Sequence, residues 1–259
     1  NLPTVKQPIS IDAIQSVQVN VSNYDVTQKG YTGANINAAT KSGTNEFKGS
    51  VYYVTRDDSF VGKLYNRASD TYTDQRAFDE STKGFTFGGP IIKDKLFFFV
   101  NFEANDQDNT KNVNPGTATP AQIALIGFNP ATFAGSTTAP FREKLGFGKL
   151  TFQAADNHRI ELTGSIRKET DTRGFGGQDA FSRGERVKND VYTVRLEDRF
   201  VGNGFLNIAS IDYLKSDLTF GASSTTDFGL NYQGLINIGG RPQFQQVGQK
   251  GLTFRDELS

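Results

Sequence analysis

Three stretches of this chain alternate apolar and polar residues with a period of two, and each is broken by a turn of only a few residues. In the first, Gly84-Phe85-Thr86-Phe87-Gly88-Gly89-Pro90-Ile91-Ile92 turns at Lys93-Asp94-Lys95 and returns from Leu96 to Asn105. Leu96, Phe98, Val100 and Phe102 then share one face, with Asn101, Glu103 and Asn105 on the other. The second turns at Ala155-Asp156-Asn157-His158. It sets Leu150, Phe152, Ala154, Ile160, Leu162 and Ile166 against Lys149, Thr151, Gln153, Arg159, Glu161, Thr163 and Arg167. The third sets Tyr192, Val194, Leu196 and Phe200 against Thr193, Arg195, Glu197 and Arg199, and turns at Gly202-Asn203-Gly204, residues that tolerate positive φ. Its return arm, Phe205 to Leu218, is apolar on both faces, which leaves its register open. Side chains alternate across a strand, so these patterns predict strands with one apolar and one polar face. A further strand is expected from Phe47 to about Arg56.

The connections are unequal. Walking the strands in order places every tight turn at one end. The long polar stretches, Asp57 to Lys83, Asp106 to about Lys144 and Glu169 to Glu185, fall at the other. Most arms have about 9–11 residues, the length of a tilted membrane strand. Short turns on one side and long loops on the other characterise a transmembrane antiparallel β-barrel, whose averaged hydropathy is weak because lumen-facing residues dilute it. The competing reading is a soluble carbohydrate-binding β-sandwich, whose strands also alternate, although connections this long are uncommon in compact domains.

Composition narrows the function. Lysine plus arginine and aspartate plus glutamate each number 28, so there is no basic excess of the kind nucleic-acid binders carry. With no cysteine and one histidine, His158, thiolate and histidine-cluster metal sites are ruled out, and acid–base catalysis has little to work with. The expectation is a protein that is not an enzyme and holds no cofactor. His158 itself reads as a solvent-facing turn residue. Tryptophan, common in barrel girdles, is absent, and nothing in the sequence explains that.

Residues 1–46 read differently from the rest. Ser10 is a candidate cap for a short helix at Ile11-Asp12-Ala13-Ile14; Val17, Val19 and Val21 alternate; Gly30, Gly33 and Gly43 punctuate; and Ala34 to Thr40 reads as another short strand. This is a mixed α/β segment ahead of a barrel that begins at residue 47.

At this point the residues match a known pattern. Ile11-Asp12-Ala13-Ile14-Gln15-Ser16-Val17-Gln18-Val19 resembles the late plug segment of TonB-dependent outer-membrane receptors. The run from Gly33 to Ser50, with Lys41-Ser42-Gly43-Thr44-Asn45 at its centre, resembles the closing plug strand and its passage into the first barrel strand. The block Phe85-Thr86-Phe87-Gly88-Gly89-Pro90-Ile91-Ile92-Lys93-Asp94-Lys95-Leu96-Phe97-Phe98-Phe99 is similar to the Oar-like subgroup. The resemblance is specific from about Ser10 to Glu103 and rests on strand rhythm beyond. It implies the C-terminal part of a plug domain at 1–46 and the first strands of a barrel of about 22 strands at 47–259. It also implies a Gram-negative outer-membrane location and contact with outer-membrane lipid. Import of a large extracellular solute of unknown class by plug gating would be driven by the TonB complex acting on an N-terminal part that precedes this chain. An outer-membrane barrel serving adhesion or surface assembly would share the pattern. The chain opens without a methionine or signal peptide and closes inside a strand, so it reads as a piece.

Several side chains are candidate site residues. Lys149, Arg159, Glu161, Arg167, Arg195, Glu197 and Arg199 fall on the lumen face, where they could form an ion network on a wet wall or hold a ligand. Lys41 to Asn45 form the expected plug–barrel junction. Glu103, Asp106 and Asp108 are a weak calcium candidate, since the run Asp106-Gln107-Asp108-Asn109-Thr110 lacks the glycine and glutamate of an EF-hand loop. Arg173-Gly174-Phe175-Gly176-Gly177 lacks the residues of a phosphate loop and reads as a mobile loop. Phe97, Phe98, Phe99, Tyr192 and Phe200 suit an aromatic girdle near the tight turns.

Overall fold

The computed structural model describes residues 8–20, 35–224, 228–241 and 244–259; Val21, Gly30, Gly33 and Ala34 lie outside them. A short 3-10 helix, Ile11–Ala13, is capped by Ser10, whose Oγ accepts the Asp12 amide at 3.2 Å. Strands β1 (Ile14–Asn20) and β2 (Asn35–Thr40) pair antiparallel as a small separate sheet. The main sheet contains β3 (Lys48–Asp57), β6 (Phe78–Ile92), β7 (Leu96–Val113), β8 (Gly135–Ala155), β9 (His158–Arg173), β10 (Glu185–Val201), β11 (Leu206–Ala222) and β14 (Gln245–Leu258). Two small hairpins sit in connections: β4 (Leu64–Asn66) with β5 (Thr71–Thr73), and β12 (Leu230–Tyr232) with β13 (Ile236–Ile238). Helix α1 (Pro120–Ile126) lies in a third.

The eight long strands follow one another as an antiparallel meander, open at β3 and at β14. They form one continuous sheet, whereas a sandwich would need two packed ones, so the soluble sandwich weighed from the pattern is set aside. One face carries Val100, Phe102, Leu150, Phe152, Leu162, Ile166, Val194, Leu196, Ile211, Leu252 and Phe254, all exposed. An apolar surface of this extent needs a non-aqueous neighbour. The other face buries Phe99, Asn101, Glu103, Glu143, Leu145, Phe147, Lys149, Thr151 and Arg167. The register of β11 is settled by its partners: Ile211 lies opposite Leu196 and Phe254, and Tyr213 opposite Val194 and Leu252. Ile211 and Tyr213 therefore face outward, and Ser210 and Asp212 inward.

The tight turns at 93–95, 156–157 and 202–205 fall at one end and the long connections at the other, as the sequence pattern predicts. Asp94 and Gly204 adopt φ of 63° and 85° in two of those turns. The strands themselves are longer than expected, with β7 at 18 residues and β8 at 21. The loops contract accordingly to 58–77, 114–134 and 174–184. Beyond the apolar band both faces are polar, so alternation of side-chain type disappears while the backbone ladder continues; Gln107 opposite Phe141 and Lys111 opposite Thr137 are still paired.

Phe97, Phe98 and Phe99 cannot share a face. Phe98 points outward with Phe47 and Phe87, while Phe99 is buried inside against Phe147. Tyr192, opposite Ile166 and Lys215, is mid-strand and away from the turns. Of the expected girdle, Phe98 and Phe200 lie outward near turns. His158 opens β9; its Nε2 is 3.0 Å from both Asp198 carboxylate oxygens and its ring meets Phe200 edge-on.

The long connections interlock. Val113, Ala180 and Ile236 form a buried cluster flanked by Phe128, Tyr232 and Ile238. Backbone bonds tie the same segments: Asn114 to Gly177, Gly116 to Leu235 and Ala180 to Asn237. Phe175 is buried and Gly176 and Gly177 take positive φ in this layer, so the stretch read as a mobile loop is hydrogen-bonded into it. Ile236→Ala should destabilise the layer by about 2–4 kcal/mol, the usual cost of emptying a buried site. Limited proteolysis should then cut near 174–184 sooner, with the strands as resistant as before.

Candidate functional site

The site lies on the inner face, where the segment around Ser10–Glu46 meets the strands. Ser10 and Ala13 are fully buried, Ala13 against Phe99 and Phe147. Glu103 of β7 accepts hydrogen bonds from the Ser10 hydroxyl at 2.7 Å and from the Tyr52 hydroxyl at 2.5 Å. Tyr52 reaches it across an intervening strand: Tyr52 lies opposite Gly84, and Gly84 opposite Glu103. Two strand spacings are about 10 Å, within reach of a tyrosine only if nothing stands between. A Cβ on Gly84 would sit 2.4 Å from the Tyr52 hydroxyl oxygen. Glycine here is a requirement of the contact.

A second contact is made by Lys149 of β8. Its Nζ donates to the Thr40 carbonyl at 3.4 Å and the Ser42 hydroxyl at 3.3 Å, and lies 3.6 Å from Glu161. Glu161 also accepts from Thr151 and is paired with Arg159. A cavity of about 520 Å3 opens between Gln15, Ala38 to Thr40 and the wall. Lys149, Arg159, Glu161, Arg195, Glu197 and Arg199 line it, which brings together six of the seven lumen charges named from sequence. Arg195 is paired with Glu197 at 2.7 Å and Asp212 at 3.3 Å. Arg199, opposite Arg159 in the ladder, makes no ion pair among the described residues.

Arg167 belongs to a different group, higher on the wall. It is almost fully buried between Glu143, at 3.0 Å, and Glu169. A charge in such a place is tolerable only with well-placed partners. Neither glutamate was picked out from sequence, because both fall where a loop is expected; their odd-numbered positions, in step with Lys149 and Arg167, were the available signal. Tyr52 was missed for lack of any local cue.

The residues from Lys41 to Asn45 are all held. The Lys41 amide donates to the Ala13 carbonyl at 2.8 Å, and Ser42 accepts from Lys149. Gly43 passes so close to β7 that a Cβ would lie 2.3 Å from the Phe98 carbonyl oxygen. Thr44 donates to the Glu46 carbonyl, and Asn45 exchanges two hydrogen bonds with Asp94 in the first tight turn. Beside them, the hydrogen bond and charge of Lys48 hold the exposed Glu46 carboxyl below its ordinary range.

Glu103, Asp106 and Asp108 do not converge. Glu103 points inward, while Asp106 and Asp108, an odd number of residues away on the same strand, point outward to Lys83 and Arg142. Period two separates them, and among the described residues no group of three acidic or histidine side chains could hold a metal ion.

At the loop end of the inner face a second cavity, about 780 Å3, is lined by Phe78, Gln107, Lys111, Phe141, Asp171 and Arg173. It combines aromatic and charged groups, the mixture suited to holding a polar solute.

With this geometry in view, the comparisons with known proteins are specific. The outer membrane beta barrel domain family matches residues 39–145. The fold is that of an outer-membrane β-barrel domain, open in this chain at β3 and β14. The chain is 30% identical to the TonB-dependent transporter Oar of Myxococcus xanthus over an alignment covering 65% of this chain and 17% of that protein. The outer membrane transporter YddB from Escherichia coli has the same fold, with a TM-score of 0.67 at 14% identity over 95% of this chain and 32% of YddB. The chain thus spans less than a third of the length of each. The exposed apolar face accordingly meets lipid, in the outer membrane of a Gram-negative bacterium.

The Glu103 contact can be tested by two routes in the full-length protein. Glu103→Ala removes the acceptor; Gly84→Ala leaves every polar group and closes the path. Each should loosen Ser10–Ala13 by about 1–3 kcal/mol, the cost of unpaired buried polar groups. Hydrogen exchange at residues 10–16 should rise several-fold in both, with the β8–β10 ladders unchanged.

Proposed function

We propose that this chain is the junction between plug and barrel in a TonB-dependent receptor of Oar-like type, importing a large solute. In this reading residues 1–46 are the end of the plug, 47–259 are the first barrel strands, and further strands of the same protein close the edges at β3 and β14. The supporting observation is how the segment from Ser10 to Asn45 is held. Among the described residues its contacts with the wall include polar bonds, Ser10 to Glu103 and Lys149 to Thr40 and Ser42, and the packing of Ala13 on Phe99 and Phe147, beside a cavity lined by charged groups. Each such bond, made to a charged group, contributes only about 1.5–3 kcal/mol net. Polar bonds of this kind can be broken by a pull and remade, because water can take the place of either partner.

The resemblance of Ile11 to Val19 and of Phe85 to Phe99 to the Oar-like pattern, and the similarity to Oar itself, support the same reading. Solute would be received at the loop end, in the cavity between Phe78, Phe141 and Arg173, and would pass along the inner face once the plug yields. Energy would come from the TonB complex acting on the plug's N-terminal side. No reaction is catalysed in this scheme.

The chain has no cysteine, so a cysteine pair introduced at Ser10 and Glu103 can act as a tether between segment and wall. In cells, uptake of the receptor's solute should require an intact TonB complex. It should fall to the TonB-deficient level when the pair is oxidised and recover on reduction. Solute accumulation that is equal with and without TonB would sink the import reading and favour a surface role in adhesion or assembly.

A further inference from the structure

The outer face carries a charge pattern that solute import does not use. Ladder register defines a row across five strands: Lys83 lies opposite Ala104, Ala104 opposite Lys144, Lys144 opposite Lys168, and Lys168 opposite Asp190. One row nearer the tight turns, on the same face, stand Phe85, Phe102, Gly146, Ile166 and Tyr192. The surface therefore changes from apolar to cationic within a single step of the pleat. The long loops lie beyond this row, which places it at the outer-leaflet boundary of the membrane.

Most cations near this boundary have an acid. Lys83 is 3.2 Å from Asp106, Arg142 is 2.7 Å from Asp108, and Lys188 is 3.3 Å from Asp190. Lys144 and Lys168 make no ion pair among the described residues, and Asp190, across from Lys168, is engaged by Lys188. Yet the two lysines face each other directly, with Cβ atoms about 5 Å apart in such a pair, an arrangement that costs stability unless something answers the charge. Both are exposed. With Arg142 and Lys188 they border a depression of about 650 Å3 that also takes in Phe102 and Ala104.

Two uncompensated ammonium groups above an apolar belt match an amphiphile with an anionic head. Its acyl chains would lie along Phe102 and Ile166, and its head would sit where the lysine stems can lift their charges out of the hydrocarbon. We propose that Lys144 and Lys168, flanked by Arg142, bind the phosphate of a phosphorylated lipid headgroup in the outer leaflet. The site thereby fixes the height of the barrel wall in the membrane, independently of what is transported.

The test uses the full-length protein in mild detergent, stripped of native lipid and titrated with diphosphorylated lipid A under native mass spectrometry. Lys144→Gln with Lys168→Gln should weaken binding about thirtyfold, a factor of five to six for each lysine near an anionic surface. Lys144→Arg with Lys168→Arg should restore it to within about twofold. Dephosphorylated lipid should bind wild type and the glutamine variant alike, and millimolar inorganic phosphate should not displace the lipid. Equal affinity of wild type and the glutamine variant for lipid A would overturn the proposal. Equal binding of phosphorylated and dephosphorylated lipid to wild type would do the same, and displacement by inorganic phosphate alone would reassign the site to a free anion. If the double glutamine variant fails the heat-modifiability check for a folded barrel, Lys144→Gln alone carries the test, with a loss of about fivefold expected.

Discussion

Everything in this structure depends on keeping the backbone paired in a solvent that offers no hydrogen bonds. A strand in hydrocarbon must find both its ladders in neighbouring strands, because each open N–H or C=O costs several kcal/mol there. The meander meets this demand for its six inner strands, β6 to β11, each paired on both sides, while β3 and β14 each leave one ladder open. The division of side chains into two faces follows from that ladder and needs no separate cause. Once pairing is continuous, residues i and i+2 must lie on one side, and lipid and lumen sort them.

The inner face then inherits a problem of its own. Charges such as Lys149 and Arg167 are excluded from water once another layer covers them, and an unpaired buried charge is costly. The wall meets this in two ways. Arg167 is flanked by Glu143 and Glu169, all three from β8 and β9. Lys149 and Glu103 instead complete their bonding with Thr40, Ser42 and Ser10, residues of the covering segment. The second kind of group couples the wall to the covering segment. Those bonds make Lys149 and Glu103 natural places for docking to be sensed.

How far this could be read from sequence has a physical limit. Where lipid lies on one side and the lumen on the other, as at Leu150, Phe152, Leu162 and Ile166, composition alternates and the strand is visible. Above the band both sides are wet, so Asp106 to Val113 and Gly135 to Lys144 look like loop although each residue is in the ladder. The loop layer was invisible for another reason: its core is Val113 at the end of β7 with Ala180 and Ile236 from two separate connections, single apolar residues that only the fold brings together. Of the candidate site, the wall's charges were legible because parity alone assigns them a face. Their partners were not, since no local pattern links Tyr52 or Ser10 to Glu103.

Parity also explains why the same residue type behaves differently on the two faces. On the inner face Lys149 sits among Glu161 and the polar backbone of residues 40–42, and its charge is matched within the protein. On the outer face Lys144, five residues away and therefore pointing oppositely, lies beside Lys168 with its charge unmatched. A charge buried within the protein must be matched there, because little else can reach it. A surface at the edge of a bilayer need not, because the headgroup layer supplies counter-charges. The matched charge at Lys149 and the unmatched pair at Lys144 and Lys168 are thus two answers to one electrostatic requirement, set by which surroundings each side of the strand meets.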